Sequence, residues 1–111
     1  MKIKKFNAIG IMSGTSCDGL DIAYSSYWEN NNMWNYELKN KSFIPYSSIL
    51  KDKLLNCYKF SAYDLKKLDI ELGELISKNV SNFIKSKSIK PNLIATHGHT
   101  VLHNPAEKIT L

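Results

Sequence analysis

The hydrophobic pattern changes period along the chain, and each change marks an element. Residues 6–12, FNAIGIM, form a short apolar run that predicts a buried strand, followed by a loop containing Gly14 and Gly19. From Leu20 to Trp28 the side chains alternate, Ile22, Tyr24, Ser26 and Trp28 on one face against Ala23, Ser25 and Tyr27 on the other, which predicts a second strand. The polar cluster ENNN at 29–32 is a turn signal, and MWNYELK resumes the alternation with Trp34, Tyr36 and Leu38 on one face. Two adjacent strands joined by so short a turn predict an antiparallel hairpin.

Beyond Pro45 the period lengthens. Ser47 or Ser48 caps a helix carrying Leu50, Leu54 and Tyr58 at i, i+4 spacing. Ser61 with Asp64 three residues later resembles a capping box, and Leu65, Leu68, Leu72, Leu75, Ile76, Val80 and Phe83 then recur at spacings of three and four, the mark of a long amphipathic helix. After the linker KSKSIKPN, a short apolar strand at Leu93–Ala95 runs into a histidine-rich turn, THGHT. The order strand, loop, strand, strand, helix, helix, strand predicts an α/β fold with helices packed on a mixed sheet. In the final EKITL, Ile109 and Leu111 begin another alternating pattern with no partner and no turn to close it, so a longer chain is expected.

A length of 111 residues allows one modest core, one domain or part of one. Cys17 and Cys57 are too few and too far apart for a disulfide framework, which fits a reducing compartment. The basic N-terminus lacks the apolar length and small-residue site of a leader, and no window has the uninterrupted apolar length that crosses a bilayer. A soluble, cytoplasmic protein with no membrane partner is therefore expected. Fifteen lysines against ten acids give a net charge of +5, yet the chain has no arginine and its lysines are scattered. Arginine carries most bidentate base and phosphate recognition, so no nucleic-acid partner is expected.

The densest chemistry lies in IGIMSGTSCDGLDIA. Gly14 and Gly19 have the GxxxxG spacing of a P-loop, but Leu20 and Asp21 stand where Lys and Ser/Thr are required, which excludes that motif; no GxGxxG follows any strand either. What remains is a strand, a turn and a strand. Glycine lets backbone approach a ligand and visit positive φ, so that successive amides converge on an anion. Ser13, Thr15 and Ser16 add hydroxyl donors, and Asp18 and Asp21 would repel phosphate unless a cation such as magnesium lies between. A metal-nucleotide loop on a β-hairpin fits this set; so does a tight hairpin turn whose Gly, Ser and Asp serve only backbone geometry.

His97, His99 and His103 form HxHxxxH, which could present imidazoles to zinc, but in sequence only Glu107 stands near them as a further ligand, so no direct metal ligand is assigned. Tyr24, Tyr27, Trp28, Trp34 and Tyr36 read as cross-strand packing, and Asp64, Asp69, Glu71 and Glu74, interspersed with lysines, as a solvated helix face. Cys57 reads as core, and Cys17 as a loop thiol open to reagents when the loop is empty.

Two blocks, IGIMSGTSCDGLDIA and ATHGHTVLHNPAEKITL, resemble the signatures of the anhydro-N-acetylmuramic acid kinases, in the right order and at a plausible distance. The resemblance implies the N-terminal part of an actin-like ATPase (ribonuclease H-like) domain, with residues 1–111 an incomplete kinase domain and the second domain absent. It implies ATP-dependent phosphorylation of 1,6-anhydro-N-acetylmuramic acid on O6 while water opens the anhydro bridge, giving N-acetylmuramic acid 6-phosphate in peptidoglycan recycling. By this likeness Gly14, Thr15, Ser16, Cys17, Asp18, Gly19, Leu20 and Asp21 form the ATP phosphate loop. Asp18 takes the role of holding Mg2+ through water, because Ser13 stands where many relatives carry an aspartate. His97, Gly98 and Thr100 are implied to line the sugar site. The aspartate base of the family is expected beyond Leu111, so the 111 residues alone are expected to be inactive, and the full-length protein to be a homodimer. Two other readings stand beside this one, a non-catalytic phosphate-ligand or metal-binding module and an actin-like ATPase with a different substrate.

Overall fold

A computed structural model describes residues 3–111. Strand β1 (Lys5–Ser13) pairs antiparallel with β2 (Gly19–Asn30), which pairs antiparallel with β3 (Met33–Pro45). Asn31 and Asn32 turn β2 into β3 with φ of 51° and 61°, the pair of left-handed residues that a two-residue hairpin needs and that asparagine tolerates. The predicted hairpin is present, but β3 runs past the recognisable alternation to Pro45. An irregularity in the β2–β3 register between Tyr24 and Ser25 interrupts that alternation. Pro45 sits at the end of an edge strand, where its missing N–H disrupts no ladder.

Helix α1 (Ser48–Asn56) starts at Ser47, whose hydroxyl accepts from the Leu50 amide at 3.1 Å. It gives way at Cys57–Lys59 to a 3-10 turn, which buries Cys57 and leaves Tyr58 exposed. The expected Leu50–Leu54–Tyr58 stripe therefore ends at Leu54, because the tighter turn moves the buried position from 58 to 57. Helix α2 (Ala62–Lys87) starts at Ser61, whose hydroxyl accepts from the Asp64 amide at 3.1 Å, and ends on Ser88 in the left-handed region. Leu68, Leu72, Val80 and Phe83 are buried, with Leu65, Leu75 and Ile76 packed beside them, as the spacing predicts.

Residues 85–87, expected in the linker, instead form the last turn of α2, and the remainder, residues 88–92, returns the chain to β1. Asn92 donates its amide to the Asn7 carbonyl at 2.7 Å, and its side-chain oxygen accepts from the Asn7 amide at 2.8 Å. This bracket sets β4 (Leu93–Thr96) parallel to β1, giving the sheet order β3-β2-β1-β4. The result is the expected mixed sheet with helices on it. Ile9, Ile11, Leu20, Ile22 and Tyr24 face the helices and form the core with Leu50, Leu54, Leu68, Leu72 and Phe83.

The last residues correct one expectation. Ile109 does have a partner: β6 (Ile109–Thr110) pairs antiparallel with β5 (His103–Asn104), and a 3-10 turn at Pro105–Glu107 closes the hairpin. Pro105 opens that turn and Lys108 leaves it at φ 60°, so the turn signal was a proline followed by a left-handed lysine rather than a glycine.

Candidate functional site

The two motif-bearing loops leave the sheet at one end. Strand β1 runs into the loop 14–18, and β4, its parallel neighbour, runs into the turn 97–100; the His97 amide donates to the Ile11 carbonyl at 3.1 Å. Ligands in open α/β sheets bind at the carboxyl ends of parallel strands, which is where both loops lie.

In the first loop the Cys17 amide donates to the Gly14 carbonyl at 3.0 Å, and Cys17 itself turns the chain with φ 55°. Positive φ was expected of the glycines, but neither Gly14 nor Gly19 adopts it. Gly19 is glycine for another reason. A Cβ there would collide with the Ile44 carbonyl oxygen and lie 2.6 Å from the Phe43 ring, so Gly19 allows β2 and β3 to close. The amides of Thr15 and Ser16 have no acceptor among the described residues, and both residues are exposed. These amides and the Thr15 hydroxyl form the part of the loop free to meet an anion.

The other residues of the expected phosphate loop divide by position. Leu20 is fully buried in the core, and Asp21 lies on β2 on the sheet face opposite Leu20, so neither side chain belongs to the loop surface. Cys17 is buried as well, at 1% exposure, and burial pushes its thiol pKa up against the pull of Lys51. That overturns the expectation of a loop thiol open to reagents: the left-handed turn points Cys17 inward. Cys57 is core as expected, its thiol likewise raised by burial, and both thiols are free.

Asp18 remains on the surface with a partner that lies 33 residues away in sequence. Lys51 on α1 meets its carboxylate at 2.8 Å. The Lys51 hydrogen bond, the Lys51 charge and then the Ser16 hydroxyl hold the Asp18 carboxyl below its ordinary range, and the same hydrogen bond raises Lys51. A cation thus sits beside the loop carboxylate, easing the repulsion that Asp18 would exert on a phosphate. Magnesium is a hard cation that keeps several waters and takes one or two carboxylates together with phosphate oxygens. One exposed carboxylate with the Ser16 hydroxyl beside it fits that donor set.

Tyr46 anchors the loop from below. Its amide donates to the Asp18 carbonyl at 3.0 Å, and its buried hydroxyl donates to Ser13 Oγ. Burial raises the Tyr46 pKa above its ordinary value. Lys51 and Tyr46 both escaped the sequence reading, because nothing in one chain links residues 46 and 51 to a loop 33 positions earlier.

In the second loop Gly98 has φ 72°, a conformation that glycine adopts without penalty. His97 is exposed, and Gly98 and Thr100 are half-buried. His97, Gly98 and His99 border a cavity of about 590 Å³ whose other wall includes Leu65, Leu68 and Leu72 of α2; Thr100 lies outside its lining. The three imidazoles go to three separate acceptors: His97 Nδ1 lies 3.4 Å from the Gly98 carbonyl, His99 Nε2 3.1 Å from the Leu54 carbonyl, and His103 Nδ1 3.1 Å from Thr110 Oγ1. Among the described residues no group of three or more His, Cys, Asp or Glu stands close enough to hold a metal, and no helix is long and apolar enough to cross a membrane.

The family model described as anhydro-N-acetylmuramic acid kinase matches residues 6–111. Among curated proteins, the anhydro-N-acetylmuramic acid kinase of Photobacterium profundum is 33% identical over 111 residues, covering 95% of this chain and 28% of the relative. That of Colwellia psychrerythraea is 30% identical over 104 residues, covering 88% of this chain and 26% of the relative. That of Pelagibacter ubique is 27% identical over 116 residues, covering 96% and 30%. The chain thus spans 26–30% of the length of these relatives.

Proposed function

The chain belongs to the anhydro-N-acetylmuramic acid kinase family, and from that premise we propose that it supplies the phosphate loop and one wall of the sugar site of an ATP-dependent sugar kinase. The reaction is transfer of the ATP terminal phosphoryl group to O6 of 1,6-anhydro-N-acetylmuramic acid, while water adds at the anomeric carbon and the anhydro bridge opens. The product is N-acetylmuramic acid 6-phosphate, formed in the cytoplasm as cell-wall peptidoglycan is recycled, by a full-length protein acting as a homodimer. One observation carries the reading: the two motif loops, 82 positions apart from Ser13 to Ala95, emerge from the carboxyl ends of neighbouring parallel strands tied by the His97 to Ile11 hydrogen bond.

Phosphoryl transfer asks the protein mainly for positioning and charge neutralisation. The unpartnered amides of Thr15 and Ser16 and their hydroxyls bind phosphate oxygens, and the buried Tyr46 to Ser13 hydrogen bond keeps that loop from shifting. Gly14 contributes backbone to the same cradle. Asp18, with Ser16 beside it, would hold Mg2+ through water; when bound, the ion supplies positive charge against the phosphates. Lys51 limits the unbalanced charge of Asp18 before nucleotide arrives. On the sugar side, the His97 imidazole, the Gly98 backbone and the Thr100 hydroxyl offer hydrogen bonds to sugar oxygens. On their own the 111 residues are proposed not to turn over, since they amount to 26–30% of their relatives' length.

Titration of MgATP into 15N-labelled protein tests the nucleotide half. The Thr15 and Ser16 amide resonances are expected to move and saturate together. Saturable shifts elsewhere with these two unmoved would take the loop out of the nucleotide site.

A further inference from the structure

The 9-residue helix α1 touches both motif loops, one at each end. At its N-terminal end Tyr46 holds Ser13 and the Asp18 carbonyl, and Lys51 holds the Asp18 carboxylate. At its C-terminal end the Leu54 carbonyl faces His99 Nε2 at 3.1 Å. Leu54 lies in the last turn, where helix carbonyls lack backbone partners within the helix; its carbonyl accepts from the Cys57 thiol at 3.2 Å and, from outside the helix, from the His99 imidazole. From Ser48 to Leu54 a helix extends about 9 Å, at roughly 1.5 Å per residue.

The chemistry at Leu54 fixes one end of the ring. A carbonyl can only accept, so Nε2 carries a proton and is the donor. Nδ1 is buried and has no hydrogen-bond partner. An orphaned buried ring nitrogen is uncommon, and here it accompanies a bond that spans 45 residues of sequence and joins the glycine turn to a helix end.

We propose that His99 is a positioning residue, which as an Nε2–H donor clamps the 97–100 turn to α1, so that α1 acts as a strut setting the sugar-side turn against the phosphate loop. The inference rests on the proposed function for its consequence, which is that sugar and nucleotide sense each other through α1. Its geometry stands without any ligand.

The test uses H99L, which removes the donor, and H99Q, whose amide N–H can replace it. In ligand-free protein, hydrogen exchange at the Tyr46 amide, bonded to the Asp18 carbonyl, is expected to speed up in H99L and to return towards the wild-type rate in H99Q, with the β2–β3 ladder amides unchanged in both. Imidazole 15N shifts are expected to show a protonated Nε2. Wild-type exchange at Tyr46 in H99L, loss of protection spread evenly over the sheet, or a ring without a proton on Nε2 would each overturn the inference. The ligand arm separates the two readings: with MgATP, the anhydro sugar is expected to tighten nucleotide binding about fivefold or more in wild type and H99Q, and not in H99L. Equal tightening in all three overturns the strut. Tyr46 exchange that responds to H99L in a protein binding neither ligand supports the strut and removes the kinase reading.

Discussion

Gly19 and Asp18 are neighbours in the same loop motif, yet they do different work. Gly19 is required by the strand behind it, because Ile44 and Phe43 occupy the space a Cβ would take. Gly19→Ala is therefore expected to lower unfolding stability by about 1–3 kcal/mol, the usual range for overpacking, read from a denaturant midpoint. Asp18 is held by Lys51, and folding lowers its pKa. Its stabilising contribution is accordingly present above the ordinary carboxylate pKa and is lost as pH falls through the lowered folded value. In Lys51→Ala the Asp18 carboxyl is expected to titrate at higher pH than in wild type, seen by 13C shifts; an unmoved midpoint would show that Lys51 is not the cause. Tyr46→Phe leaves the buried Ser13 hydroxyl without its donor and is expected to cost about 1–3 kcal/mol. The glycines, hydroxyls and acids of this loop were visible in sequence. Their division into a free surface (Thr15, Ser16, Asp18) and a buried underside (Cys17, Leu20) was not, because a single left-handed residue at Cys17 decides which side chains turn inward.

Among the elements, legibility followed periodicity. Helix α2 was readable from Ser61 to Phe83 because its apolar residues recur at spacings of three and four and Ser61 marks its start; its last turn, residues 85–87, reads as linker because lysine and serine replace the apolar stripe there. Leu72→Ala, in the middle of that stripe, is expected to cost about 2–5 kcal/mol in thermal or denaturant unfolding. The β2–β3 hairpin was readable from alternation on both sides of ENNN, and Tyr27 and Tyr36 do face each other across it, ring centres 6.3 Å apart. The second half of β3 was not, since the register irregularity near Ser25 breaks the period of two on which such a reading depends. Strands of two residues such as β5 and β6 carry no period at all, and their pairing depends on the Pro105 turn between them. Helix α1 was found, but its contacts to Asp18 and His99 are tertiary and leave no local mark in sequence.

Over the whole molecule, both helices lie on one side of the sheet. The other side carries Phe6, Met12, Tyr27, Trp34, Tyr36 and Phe43, all exposed. The helix-covered side holds the core, and the loops at the carboxyl ends of β1 and β4 carry the candidate site residues. This separation lets loop residues be chosen for ligand contact while Ile9, Ile11 and Ile22 hold the strands that aim them. The central claim is that these two loops serve a kinase that opens an anhydro sugar as it phosphorylates it. Its most direct test is product analysis by mass spectrometry and 13C NMR. The protein, expressed within the whole reading frame that encodes it, is incubated with ATP, magnesium and 1,6-anhydro-N-acetylmuramic acid in 18O-labelled water. The account predicts a sugar 6-phosphate carrying the label on C1, formed by wild type and greatly reduced when Thr15 and Ser16 are both replaced by alanine. A folded protein that binds MgATP and yields no such product, or yields a 6-phosphate without label at C1, would contradict it.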